Sequence, residues 1–192
     1  KSEQIIGSMW NNIPRKDIFL ATKVGWEMGS YHHWYHPKQM RKNMERSLKN
    51  LKTDCLDLIY LHHCNFGNHK EYFDDAMDQV KKFQNEGKTR FIGLSDWSSK
   101  KIMSFIKICD PDVVQPYRNV MDDTYVSTGL KNYVDKNNLG VCFFSPIKHG
   151  LLTGKYLKPA TFKDGDFRQN DPAFANKLIL EKMRGNKEAL KE

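Results

Sequence analysis

Six polar side chains stand where apolar runs of this sequence stop. Lys23 follows the run Ile18–Ala21, and His62 follows Leu56–Leu61. Ser95 and Asp96 follow Phe91–Leu94, Gln115 follows Val113–Val114, and Ser145 follows Val141–Phe144. An ammonium, an imidazole, a carboxylate, an amide and hydroxyls together supply the charge and hydrogen-bonding capacity that catalysis draws on. Lys23 is unusual in being followed by Val24 inside an apolar segment, because burying an ammonium is costly unless its charge is used. Either it reaches along the strand end to water, or its charge perturbs a neighbouring acid. Asp57 lies inside the strand-like run that ends at His62 and reads as a structural hydrogen-bonding group.

A second feature lies further on. Gly150-Leu151-Leu152-Thr153-Gly154-Lys155 follows Phe144-Ser145-Pro146-Ile147. Glycines let backbone N–H groups approach an anion and the lysine adds charge, as in loops that cradle phosphate. Tyr156 stands where a nucleotide-hydrolysing loop has the hydroxyl that binds magnesium, so a cofactor pyrophosphate fits better. His32, His33, His36, His63 and His69 invite a metal reading. No carboxylate or cysteine is spaced to complete three or four ligands, so no metal is expected.

The elements that must position these groups follow from periodicity. Residues 3–12 read as the tail of a helix and 18–23 as a strand; 24–36 form a loop rich in aromatic residues and histidine. Pro37 suits the first turn of a helix whose stripe is Met40, Met44, Leu48 and Leu51. A strand at 56–61 precedes a helix at about 70–86 that stops at Gly87. A strand at 90–95 leads to Ser98, an N-cap for a helix that ends at Asp110-Pro111. A strand at 112–116, a helix at about 124–137, a strand at 140–145, a loop at 157–173 and a polar helix at about 174–191 complete the order. The strands are continuous apolar runs, which indicates burial on both faces. Strand and helix alternate, as in a parallel α/β protein with its site at the strand ends. Local pattern alone leaves an open doubly wound sheet as the other arrangement, although no Gly-x-Gly-x-x-Gly follows any strand. A closed eight-stranded barrel takes about 250 residues. The 192 residues here are therefore expected to form a single partial barrel domain of about five strands, spanning residues 1–192.

The net charge of +8 raises nucleic acid as a ligand, but the basic residues are scattered among acidic and apolar ones, so no nucleic acid is expected. No apolar run approaches the ~20 residues of a membrane span, and the first residues carry no signal-peptide core. The four cysteines form no Cys-x-x-Cys pair, consistent with a reduced, cytoplasmic setting.

Nine segments occur in a familiar order: Ser2-Glu3-Gln4-Ile5-Ile6-Gly7, Ala21-Thr22-Lys23, Ser47-Leu48, Leu56-Asp57-Leu58-Ile59-Tyr60-Leu61-His62, Gly87-Lys88, Ile92-Gly93-Leu94-Ser95, Val114-Gln115, Phe144-Ser145-Pro146 and Gly150–Lys155. In this order and spacing the chain resembles the aldo-keto reductases, over nearly its whole length up to about Arg168. The resemblance implies a TIM-barrel fold and hydride transfer from NADPH, or NADH, to a small aldehyde or ketone. It implies that Lys23 and His62 match the Lys and His of a catalytic Asp-Tyr-Lys-His tetrad. The Lys would lower the Tyr pKa, and the His would hydrogen-bond the carbonyl oxygen. Ser95, Asp96 and Gln115 match the groups that hold the nicotinamide carboxamide, and Phe144 matches the aromatic stacked on its ring. Ser145, Pro146, Ile147, Gly150, Leu152, Gly154 and Lys155 match the loop along the pyrophosphate. Asp96 departs from the asparagine usual in the family, since a carboxylate accepts but does not donate. The tetrad's Asp and Tyr find no match within residues 1–192. The Tyr is expected ahead of Ser2-Glu3, and the segment that grips the adenosine 2′-phosphate is expected beyond Glu192. Potassium-channel β-subunits resemble the same family, so a cofactor-binding regulatory subunit is the alternative reading, with an inactive fragment as another.

Overall fold

A computed structural model describes residues 1–156, 158–175 and Ile179. Its strands form where the apolar runs predict them. β1 (Ala21–Val24), β2 (Leu56–Leu61), β3 (Thr89–Asp96), β4 (Val113–Pro116) and β5 (Gly140–Val141) make one sheet in the order β1-β2-β3-β4-β5. Every pairing is parallel. Parallel neighbours need crossovers, and the amphipathic segments supply them as α2 (Pro37–Leu51), α3 (Phe73–Asn85), α4 (Ser99–Cys109), α5 (Thr124–Ser127) and α6 (Leu130–Asn137). A shorter helix, α1 (Ser2–Gly7), precedes them. All six residues of β2 are buried, which is the environment its unbroken run Leu-Asp-Leu-Ile-Tyr-Leu calls for.

Sequence chemistry explains the helix limits. Pro37 opens α2, and Met40, Met44, Leu48 and Leu51 turn one buried stripe toward the sheet. Each such side chain contributes roughly 1.5–3 kcal/mol through removal from water. The Ser98 hydroxyl accepts from Lys101 N–H at 3.3 Å and so caps α4. Gly7 of α1 lies so close to α2 that an added Cβ would meet Asn50 O at 2.2 Å.

Several boundaries differ from the periodicity. The first helix is six residues, not ten, and β1 begins at Ala21 rather than at 18. The expected helix at 124–137 is two helices, because Gly129 adopts φ +80° and turns the chain between them. The fifth strand is two residues long, with an isolated parallel bridge from Tyr117 to Phe144 beyond it. Within the expected loop at 157–173, Phe167–Asn170 forms a short 3-10 turn. The polar helix expected at 174–191 lies, from residue 176 onward, outside the described residues apart from Ile179.

The chain divides into two compact units. The first is Lys1–Tyr117 with Asp123–Phe144 and holds the sheet and helices α1 to α6. The second is Arg118–Asp122 with Ser145–Glu192; Leu151, Ala173 and Phe174 form its own small apolar cluster. Among the described residues, no helix is long and apolar enough to cross a membrane. Many basic side chains of the first unit sit in ion pairs, such as Arg41 with Glu86 and Arg46 with Glu27.

Asp57 makes the structural hydrogen bonds expected of it. Its Oδ2 accepts from Leu20 N–H at 2.8 Å and from Arg15 at 2.9 Å, and Oδ1 accepts from Arg90 at 3.0 Å. Burial pushes the carboxyl pKa up, but the Leu20 N–H and the Arg15 and Arg90 guanidiniums outweigh it and hold the group below its ordinary 3.8. A depressed native pKa contributes stability above the unfolded value that is lost as pH falls through the native one. Asp57→Asn is therefore expected to destabilise by about 1–3 kcal/mol at neutral pH, discounted toward the lower end because Arg90 is exposed. In chemical denaturation, the gap between wild type and variant should close as pH drops below 3.8. A gap independent of pH would refute the assignment.

Candidate active site

The register of β1 on β2 brings two of the candidate residues to one place. Lys23 pairs with Tyr60, and His62 N–H donates to Val24 O at 2.9 Å, so both residues leave the same end of adjacent strands. Both residues line one cavity of about 790 Å³, with Thr22, Trp26 and Glu27 among its other walls. The Lys23 ammonium lies 5.8 Å from the Tyr60 ring centre and 5.5 Å from that of Phe144. Tyr60 can take this place because its neighbour on β3 is Gly93, where an added Cβ would stand 2.4 Å from the phenol ring.

Charge and burial set the protonation states. Burial lowers the Lys23 pKa from its ordinary value and raises that of the Tyr60 phenol. Burial, then the Lys23 ammonium, then His63, push His62 down to about 4. His62 is thus a neutral imidazole at physiological pH, with one ring N–H to donate and one nitrogen to accept. The imidazole resonances of His62 should titrate with a midpoint near 4 by NMR. In Lys23→Met the midpoint should rise yet stay below the ordinary 6.5, since burial, the larger cause, remains. A wild-type midpoint at 6.5 would place the imidazole in solvent and away from Lys23.

The next strands add the remaining candidates of the first unit. Ser95 is buried at the end of β3 and pairs in register with Gln115 of β4. Gln115 Oε1 is buried and has no hydrogen-bond partner among the described residues. A buried acceptor left unfilled is costly, and an amide NH₂ group is the kind of donor that satisfies it. The Phe144 ring packs edge-on against Trp97 at 4.9 Å and against Tyr117 at 5.5 Å. These residues fit a nicotinamide carboxamide and ring. Asp96 is buried as well, but its two oxygens accept from the backbone N–H groups of Ser98 and Cys64, each at 2.7 Å.

Ser145, Pro146, Ile147, Gly150, Leu152, Gly154 and Lys155 belong to the second unit. There Gly150 and Gly154 adopt φ +95° and +72°, and the Thr153 hydroxyl donates to Gly150 O at 2.6 Å. The glycines that the sequence singled out are thus used for left-handed turns. Among the described residues, no group of three His, Cys, Asp or Glu side chains is placed to hold a metal ion.

One structural residue of the site escaped sequence reasoning. Tyr35 is completely buried, stacks on Phe66 at 4.8 Å, and binds the His63 peptide through its hydroxyl. In the sequence it is one aromatic among several in the loop 24–36. Gly25, at φ +96°, is the local sign of its position, because an added Cβ would lie 2.1 Å from the Tyr35 ring.

A parallel sheet whose strands follow one another in chain order, with polar side chains at the strand ends, is an arc of the TIM-barrel type rather than a doubly wound sheet, whose order reverses. The sequence profile of the Aldo/keto reductase family matches residues 1–192, and the chain belongs to that family. The aldo-keto reductase yakc, NADP(+), of Schizosaccharomyces pombe is 32% identical over an alignment of 182 residues that covers 90% of this chain and 52% of that protein. A probable voltage-gated potassium channel subunit beta of Arabidopsis thaliana is 27% identical over 191 residues, covering 94% of this chain and 57% of its own. The glycerol dehydrogenase AKR11B4 from Gluconobacter oxydans superposes with a TM-score of 0.75 at 30% identity, over 95% of this chain and 56% of that one. The chain spans about half the length of the curated relatives it matches.

Proposed function

We propose that the whole protein reduces a small aldehyde or ketone to an alcohol with NADPH as hydride donor. The observation that carries this reading is the convergence of Lys23 and His62 on one cavity, with Phe144 packed at the ammonium. The nicotinamide cofactor, when bound, supplies the hydride to the carbonyl carbon. Gln115 and Ser95 would hold its carboxamide, and Phe144 would pack against its ring. His62, kept neutral by burial and by Lys23, donates its ring N–H to the carbonyl oxygen and fixes which face meets the hydride. A neutral donor orients the oxygen without surrendering a proton prematurely. Lys23 supplies positive charge where the oxygen becomes negative, so the cavity favours the transition state over the ground state. The final proton to the product oxygen is the task of the family's tetrad tyrosine, which matches no residue within 1–192. The preference for NADPH over NADH is supported by the name of the Schizosaccharomyces pombe relative.

The similarity to a probable channel subunit beta supports a second reading, a cofactor-binding regulatory subunit. The two part in one experiment: NADPH oxidation by the whole protein with a panel of aldehydes and ketones, beside direct measurement of NADPH binding. Carbonyl-dependent oxidation abolished by Lys23→Met supports the reductase. Binding without oxidation for any carbonyl supports the regulatory subunit, and neither binding nor oxidation overturns both.

A further inference from the structure

Asp96 closes β3, is 5% exposed, and spends both carboxylate oxygens on backbone N–H groups. Oδ1 accepts from Ser98 N–H in the turn that leads into α4. Oδ2 accepts from Cys64 N–H, 32 residues away in the loop that follows β2. That loop begins with His62. Its three successive peptide N–H groups each meet an acceptor from a different part of the fold. His62 N–H donates to Val24 O of β1, His63 N–H to the Tyr35 hydroxyl, and Cys64 N–H to Asp96 of β3. The Tyr35 hydroxyl returns its own hydrogen to His63 O at 2.5 Å.

A carboxylate is suited to this position because it offers acceptors on both sides. Asparagine has one acceptor and one donor. With its oxygen kept on Ser98, its NH₂ group would point at Cys64 N–H, donor against donor. The chain's departure from the usual asparagine thus has a local reason in the two N–H groups that face it.

We propose that Asp96 is a positioning residue: its carboxylate pins the His62–Cys64 turn, and through it the His62 ring, instead of meeting the nicotinamide carboxamide. The proposal rests on the reading of His62 as the donor to the substrate carbonyl. A ring released by a fraction of an ångström no longer meets the carbonyl oxygen in line, and such misplacement lowers turnover while leaving cofactor contacts intact.

The test uses the whole protein with Asp96→Asn, Asp96→Ala, His62→Ala and the Asp96→Asn/His62→Ala double variant. By amide hydrogen exchange, Asp96→Asn should keep Ser98 protected and lose protection at Cys64, whereas Asp96→Ala should lose both. Asp96→Asn should lower kcat about 10- to 100-fold, with NADPH affinity within about twofold of wild type. In the His62→Ala background the same substitution should lower kcat no further, because two residues acting through one step are not additive. Should Asp96→Asn fail to fold, Tyr35→Phe loosens the same turn from its other side and should give the same kcat loss, absent in the His62→Ala background. Tighter NADPH binding in Asp96→Asn would assign the side chain to the carboxamide and overturn the proposal. So would a protected Cys64 amide, or a kcat loss undiminished without His62. If His62→Ala alone turns over like wild type, the reductase reading of His62 fails, and the proposed route from Asp96 to turnover fails with it. The Cys64 amide still decides separately whether Asp96 pins the turn.

Discussion

In the whole protein, Lys23→Met and His62→Ala are each expected to lower the turnover of NADPH-dependent carbonyl reduction about 10²–10⁴-fold, the range for loss of an acid–base element. That corresponds to about 3–5 kcal/mol of transition-state stabilisation. The methionine stem still packs on Tyr60 and Phe144, so the substitution removes charge more than volume. Loss of charge acts twice. The developing negative oxygen loses its counter-charge, and His62 loses part of what keeps it neutral. NADPH affinity should change far less than turnover, because neither residue is assigned to the carboxamide or the pyrophosphate. Steady-state kinetics with separately measured NADPH binding decides the matter. Turnover like that of wild type in Lys23→Met would remove the catalytic assignment and favour the regulatory subunit.

The largest effect on stability is expected at Tyr35. Tyr35→Ala removes a fully buried aromatic that stacks on Phe66 and contacts His63 edge-on at 5.4 Å. Deleting a buried ring of this size costs about 3–5 kcal/mol, a large part of the 5–15 kcal/mol that holds a typical domain together. Tyr35→Phe keeps the ring and removes only the hydroxyl. It leaves His63 N–H and C=O without their partner, at a cost of about 1–3 kcal/mol. Urea denaturation of the two variants beside wild type separates packing from hydrogen bonding. Equal losses in both would mean that the hydroxyl carries the whole effect, and no loss in either would contradict the burial of the residue.

Much of this architecture is legible in the chain itself. A six-residue run such as Leu56–Leu61 can be satisfied only where both faces are covered, so β2 and the position of His62 at its end follow from local composition. The stripe Met40, Met44, Leu48 and Leu51 behind Pro37 defines α2 for the same reason, since its burial depends on spacing within one element. The ends of weaker elements are less legible. Residues 18–20 are apolar, yet β1 begins at Ala21, where pairing with Leu58 starts. Leu20 O still accepts from the N–H groups of Asp57 and Leu58, but its own N–H is taken by the Asp57 carboxylate, a group distant in sequence.

The same distance hid the supports of the site. Tyr35 meets His63 across 28 residues, and Asp96 meets Cys64 across 32. No periodicity within either segment records these bonds. Lys23, His62, Ser95 and Gln115 were visible because each stands at the end of its own apolar run, a property of single segments. That His62 is neutral, that Gln115 Oε1 is left without a partner among the described residues, and that Asp96 spends its charge on two peptide N–H groups were decided by the tertiary structure alone. Protonation and hydrogen-bond satisfaction depend on what surrounds a group in space, and only the packed sheet brings those surroundings together.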